Sequence, residues 1–309
     1  MRWLTYRSGD GGERPGLLVE GSVHGLGGER SLLDLLGDDG RRLSEAAEEA
    51  VRSPHEVRPL ETLSLVAPVP VPPSIRDFMS FEDHVLSSTK ASGLELDPGW
   101  YENPVFYFSN PAAVCGPRDP VAVSPSSSEF DFELEIAAYI GLPGSDIAPE
   151  DAERHIAGYT IFCDWSARDL QSREMRQMLG PAKGKDSATT MGPVLVTPDE
   201  LEPYRAGNGY ELQMTASVNG VQYSSGNWSS LYWSFAQMIS YASWGTRLVP
   251  GDVIGSGTVG TGCILELARV NGEEKFPYLA PGDVVALEVE QLGEIANPVV
   301  AGAPALSLR

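Results

Sequence analysis

The stretch Asp131–Ile140, reading DFELEIAAYI, constrains the fold more than any other part of this 309-residue chain. Side chains along a strand point alternately to its two faces. Phe132, Leu134, Ile136, Ala138 and Ile140 therefore share one face, and Asp131, Glu133, Glu135, Ala137 and Tyr139 share the other. One face is apolar throughout and the other turns apolar halfway. Such a strand belongs in the middle of a sheet covered on both sides, with its acids gathered at one end.

The rest of the pattern is also rich in strands. Met1–Arg7, Gly16–Glu20, His155–Asp164, Gly192–Val196, Asp252–Ser256, Cys263–Val270 and Asp283–Gln291 read as strands between Gly- or Pro-marked turns. Tyr210–Val218 and Val221–Ser224, joined by Asn219-Gly220, read as a hairpin with a type I′ turn. Helical spacing is confined to Ser31–Leu36, Leu43–Val51, Ser166–Arg173 and Ser230–Tyr241, where Leu231, Phe235, Met238 and Ile239 form the apolar stripe. Thr197-Pro198-Asp199-Glu200 carries a capping-box signature for one more short helix. Strands and helices do not alternate regularly, so the expected class is mostly β with minor α, not a Rossmann sheet or TIM barrel. Prolines 68, 70, 72 and 73 force an extended crossing. The boundary is placed before it, giving a small N-terminal α+β domain over residues 1–60 and a larger domain over 61–309.

Charge narrows the partners. Lys and Arg total 22 against 43 Asp and Glu, a net charge of −21, which repels nucleic acid and anionic lipid. Cys115, Cys163 and Cys263 are far apart with no CxxC, so neither a disulfide framework nor a thiolate metal site is expected. No apolar run reaches the length of a signal peptide or the roughly 18 residues of a membrane span. A soluble protein of a reducing, cytoplasmic compartment is expected.

Four groups of residues could carry chemistry. Glu133 and Glu135 point the same way about 6.6–7 Å apart and repel unless solvated or sharing a cation. Asp164 ends one strand just before a helix, where it can cap that helix or offer a third oxygen. Asp77 and His84 are seven residues apart and share a face if that piece is helical. Lys183 lies in the Gly-bearing loop Pro181–Asp186. Taken singly, each also suits a solvated face, a cap, a structural histidine or a surface lysine. Together they suffice for an oxygen-ligated Mg²⁺-like site beside an acid/base group.

Five motifs, in this order, resemble the fumarylacetoacetate hydrolase family. They are Asp131–Ala137, Asp164-Trp165-Ser166-Ala167-Arg168-Asp169-Leu170-Gln171, Lys183-Gly184 with Met191-Gly192-Pro193, Pro250–Ile254 with Ser256-Gly257-Thr258, and Gly293–Val299. The resemblance covers roughly residues 70–300. It implies a β-roll of mixed sheets behind the small N-terminal domain, usually as a homodimer. It also implies Asp77, Glu133, Glu135 and Asp164 as ligands of Mg²⁺ (or Mn²⁺ or Ca²⁺), with His84 as general base oriented by Glu266. Lys183 and Gln171 would steady an oxyanion, and Tyr107 and Thr258 would contact substrate. The implied reaction is hydrolysis of a carbon–carbon bond in a small β-diketo acid. Decarboxylation or enol–keto isomerisation of a 2-oxo acid is the alternative on the same site, and a non-catalytic metabolite binder is a further one. Ser87 stands where some acylpyruvase and decarboxylase members carry a glutamate three residues after the histidine, which argues against the decarboxylases with that dyad, and the implied pairing of His84 with Glu266 favours hydrolysis.

Overall fold

A computed structural model describes every residue except Asp10, Ser92, Leu94, Leu308 and Arg309. Leu134–Ile140 is buried along its whole length and lies between two antiparallel neighbours, Ile156–Asp164 and Val253–Gly255. Burial of both faces explains the alternation in its sequence. Phe132, Leu134, Ile136, Ala138 and Ile140 belong to one apolar cluster, and Ala137 and Tyr139 to a second.

The central sheet has twelve strands and mixed directions. Outward on one side, Val253–Gly255 pairs in parallel with Ile75–Phe78, which pairs with the edge strand Phe106–Ser109. On the other side come Thr189–Val196 and then the N-terminal strands Arg2–Arg7, Glu13–Val19, Ser22–Gly25 and Glu56–Pro59. Residues 1–60 thus extend this same sheet, through Arg2 opposite Val196 and Trp3 opposite Leu195. The helix Arg41–Arg52 packs there, its Leu43, Ala46 and Ala50 joining Trp3, Tyr139 and Phe162 in one cluster. A second mixed sheet of five strands lies across the other face. Its Met214, Ala216, Leu287, Val289 and Ile295 fill the same cluster as Leu134 and Ile136. The architecture is mostly β with minor helix and belongs to the β-roll fold expected.

Several elements differ from the sequence reading. Cys263–Val270 is not a strand: Ile264–Asn271 is a helix. Its cause is distant in sequence, because the Asp131 carboxylate accepts the Ile264 and Leu265 N–H groups at 2.8 and 2.9 Å and so caps the helix from another strand. The helix expected from Ser230 starts at Phe235, where Ser234 and Gln237 form a capping box, and Leu231 is buried outside it. The expected box at Thr197 does not form, since the Thr197 hydroxyl instead accepts the Met1 amine at 2.6 Å. Ser31–Leu36 shortens to one 3-10 turn, Leu33–Leu35. The hairpin turn is as expected, with positive φ at Asn219 and Gly220. No helix among the described residues is long and apolar enough to cross a membrane.

Candidate active site

Three strands of the large sheet, and the residue just before one of them, deliver four carboxylates to one place. Glu135 is the second residue of the central strand, and Glu133 sits two residues before it, bridged to Cys263. Asp164 ends the antiparallel neighbour, one residue past Cys163, which faces Leu134. Asp77 lies on Ile75–Phe78 opposite Gly255, and Gly255 in turn faces Ala137. Asp77, Glu133, Glu135 and Asp164 are all buried, and one oxygen of each lies within 4.8 Å of the others. Gly257 completes the frame, with φ +77 and its N–H donating to Asp77 Oδ1 at 3.3 Å. A side chain there would strike the Phe78 carbonyl.

Charge in this cluster is only partly balanced. Lys185 donates to both Glu133 and Asp164, and Arg168 bridges Asp131 and Glu133 at 2.8 Å each. Burial opposes ionisation of Glu133, but Arg168 and Lys185 outweigh it and hold the carboxyl below its usual range. Elsewhere burial wins. Together with the charges of Asp77, Glu133 and Asp164 it raises Glu135 well above the ordinary value. It also raises Asp77 and pushes Asp164 up to about 8. Glu135 Oε2 and Asp164 Oδ1 are buried without a hydrogen-bond partner. Unpartnered oxygens among crowded carboxylates fit a hard divalent cation, because its charge relieves the repulsion and its coordination fills the empty lone pairs. An all-oxygen donor set suits Mg²⁺, Mn²⁺ or Ca²⁺ over softer ions.

Asp77 and His84 do not share a helix face. Asp77 is on a strand and His84 is on the helix Glu82–Ala91 that follows. His84 Nδ1 meets Glu266 Oε1, reaching across 182 residues of sequence to the first turn of Ile264–Asn271. The other Glu266 oxygen accepts the Ser87 hydroxyl and the Thr261 N–H, the latter at 3.0 Å. The carboxylate is therefore held on both oxygens, with the imidazole on one of them.

The remaining expected residues divide. Tyr107 bonds Asp77 at 2.9 Å and also bonds Asp164, and Thr258 Oγ1 lies 3.3 Å from Glu135. Gln171 adjoins the cluster through Arg168 Nη1, at 3.2 Å. Lys183 is not brought there: its ammonium is exposed and pairs with Asp186 at 2.8 Å. The buried ammonium is Lys185, two residues on, in the sequence Lys183-Gly184-Lys185. Asp164 is not a helix cap either, since the helix Arg168–Met175 is entered from Ala167. Sequence reasoning passed over Lys185, Arg168 and Asp131. Asp131 and Arg168 stand in two of the five motifs, but nothing in local spacing separates a buried cation from an exposed one.

A family model, Fumarylacetoacetate (FAA) hydrolase C-terminal, matches residues 74–300. Among curated relatives, "Oxaloacetate tautomerase fahd2, mitochondrial" of Xenopus laevis is 32% identical over 264 residues, 84% of this chain and 76% of that protein. "Oxaloacetate tautomerase YisK" of Bacillus subtilis is 33% identical over 245 residues, 78% and 74% of the two chains. Among solved structures, a fumarylacetoacetate hydrolase of Exiguobacterium antarcticum is 26% identical with a TM-score of 0.75, covering 98% of this chain and all of that one. With five ordered motifs, the shared β-roll and a model match over most of its length, the chain belongs to the fumarylacetoacetate hydrolase family.

Proposed function

We propose that this chain is a metal-dependent hydrolase that breaks a carbon–carbon bond in a small β-diketo acid. The observation that carries the reading is the pairing of two parts: four buried carboxylates, two of them with an unpartnered oxygen, and beside them a histidine fixed by its own glutamate. Asp77, Glu133, Glu135 and Asp164 would hold Mg²⁺ or a similar hard ion. When bound, such an ion supplies Lewis-acid polarisation of substrate oxygens.

The chain's own groups do the rest. Glu266 fixes the imidazole through Nδ1, which leaves Nε2 free to take a proton from water. The hydroxide so formed attacks the distal carbonyl carbon. Gln171, together with Lys185 in place of the exposed Lys183, donates to the oxyanion, where one donor is worth about 3–4 kcal/mol. Collapse of the oxyanion breaks the carbon–carbon bond. The leaving enolate carries the electron pair and takes back a proton. Tyr107 and Thr258 line the substrate side.

One observation favours a second reading: the two curated relatives above are named oxaloacetate tautomerases. Tautomerisation needs the same ion and a proton carrier but no attacking water. NMR of the Mg²⁺-loaded protein with 2,4-dioxo acids and oxaloacetate separates the two. Two acid fragments support hydrolysis. Accelerated enol–keto exchange with the carbon skeleton intact overturns hydrolysis in favour of tautomerisation, and CO₂ release overturns it in favour of decarboxylation.

A further inference from the structure

The surroundings of Glu266 contain a third potential ligand that the hydrolytic reading does not use. Cys263 is buried, and its thiol donates to Glu266 Oε1 at 3.6 Å, the same oxygen that meets His84 Nδ1. The three ligand atoms lie within 4.8 Å of one another. Two weakly acidic donors converging on one carboxylate oxygen mark a spot where a single cation can replace a proton. We propose that His84, Cys263 and Glu266 form a second metal site, selective for zinc, which sequesters the histidine when filled.

The chemistry differs from that of the oxygen cluster. One imidazole nitrogen, one thiolate and one carboxylate are the ordinary ligands of Zn²⁺, whereas Mg²⁺ and Ca²⁺ take oxygen. Two centres in one chain therefore sort ions by softness. The charges and protons balance. Cys263 releases its proton to solvent on binding, and His84 stays neutral by carrying its one proton on Nε2. Thiolate and carboxylate together cancel the two charges of the ion, so the buried centre is neutral. A cavity of about 780 Å³, lined by Ser87, Thr261 and Glu266 among others, adjoins the site. It offers an entry path and room for water as fourth ligand. The absence of a CxxC pattern hides such a site in sequence, because His84 comes from a different helix. Its effect on turnover, though not its existence, rests on the reading of His84 as general base: zinc on Nδ1 takes Glu266 away from the imidazole and silences it.

The test loads the full chain with excess Mn²⁺, adds Zn²⁺, dialyses against Mn²⁺ and counts retained zinc. One zinc per chain is expected in the wild type and in Glu135→Ala. Cys263→Ser should hold zinc more than about a hundredfold more weakly, since loss of a direct ligand exceeds the 10–100-fold typical of an outer partner. Its Mn²⁺ binding should persist, which shows that it is folded. Co²⁺ in place of zinc should give the wild type a near-ultraviolet thiolate-to-metal absorption that needs no variant to read. Zinc held equally by Cys263→Ser, zinc lost in Glu135→Ala, or no thiolate band would each overturn the site. Zinc bound through Cys263 without slowing turnover would overturn the base role of His84 and leave the site standing.

Discussion

The carboxylate cluster and the His84–Glu266 pair lie side by side but are built on opposite principles. Strands deliver the cluster, and their register fixes where each oxygen goes. Two helices from distant parts of the chain deliver the pair, which is held by side-chain bonds. In the cluster, two oxygens lack partners and three of four carboxyls are pushed toward their protonated forms. In the pair, both Glu266 oxygens are occupied. A sheet can impose an arrangement that electrostatics disfavours, because many backbone hydrogen bonds hold it in place. The cluster therefore calls for an outside cation to balance it, whereas the pair is held by the protein's own bonds and takes a cation only by giving them up.

If this contrast is right, the largest effect comes from cutting the cluster. Glu135→Ala should lower Mg²⁺ or Mn²⁺ affinity by more than about a hundredfold and abolish turnover, with excess metal restoring it only in part. Calorimetry and rate measurements on one sample check both, and normal metal binding would dissolve the cluster as a metal site. His84→Ala should come next. Turnover should fall by about 10²–10⁴, the usual contribution of a positioned general base, while Mg²⁺ or Mn²⁺ affinity at the carboxylate cluster stays near that of the wild type. A parallel loss of metal would erase the distinction between the two regions.

The same contrast explains what could be read from sequence. The central strand, its two faces and the gathering of Glu133 with Glu135 followed from period two alone, because adjacent side chains on a strand face are neighbours in space. The ordered motifs carried the family, and with it Asp77, Asp164, His84 and Glu266. Long-range dependence hid the rest. Ile264–Asn271 looks like a strand until Asp131 caps it from another part of the chain. Lys183 and Lys185 carry the same charge two residues apart, and only the turn between them decides which is buried.

Those two lysines give a sharper comparison. Lys185→Met leaves Glu133 and Asp164 without their shared ammonium. Breaking a buried ion pair from one side costs about 3–5 kcal/mol, so the metal-free protein should melt well below the wild type. Added Mg²⁺ should recover more of the loss than it adds to the wild type. Lys183→Met removes an exposed pair and should change stability by no more than about 0.5 kcal/mol. Equal melting shifts for the two variants would contradict the burial of Lys185.

The smallest effect is a pH dependence with a definite sign. Asp164 lies near 8 and so holds its proton in the metal-free chain at pH 7, and burial with the neighbouring carboxylates pushes Glu135 toward its protonated form as well. A cation binds the ionised forms and expels these protons. Apparent affinity should therefore climb between pH 6 and 8, then flatten once Asp164 ionises unaided. Stability moves the other way. Asp164 has an unfolded value of about 3.9, so the folded chain binds its proton more tightly than the unfolded chain does. That contribution is complete below about pH 4 and is lost as pH rises toward 8. Glu133, held low, acts in the opposite sense, but only at or below the ordinary carboxylate range. Between pH 5 and 8 the metal-free protein should thus lose stability from this cluster, and saturating Mg²⁺ should suppress the loss. Calorimetric metal titrations in two buffers of different ionisation enthalpy report the released protons directly. Zero proton release at pH 7 would mean that the carboxylates are already ionised, and the cluster would then be as well balanced as the pair beside it.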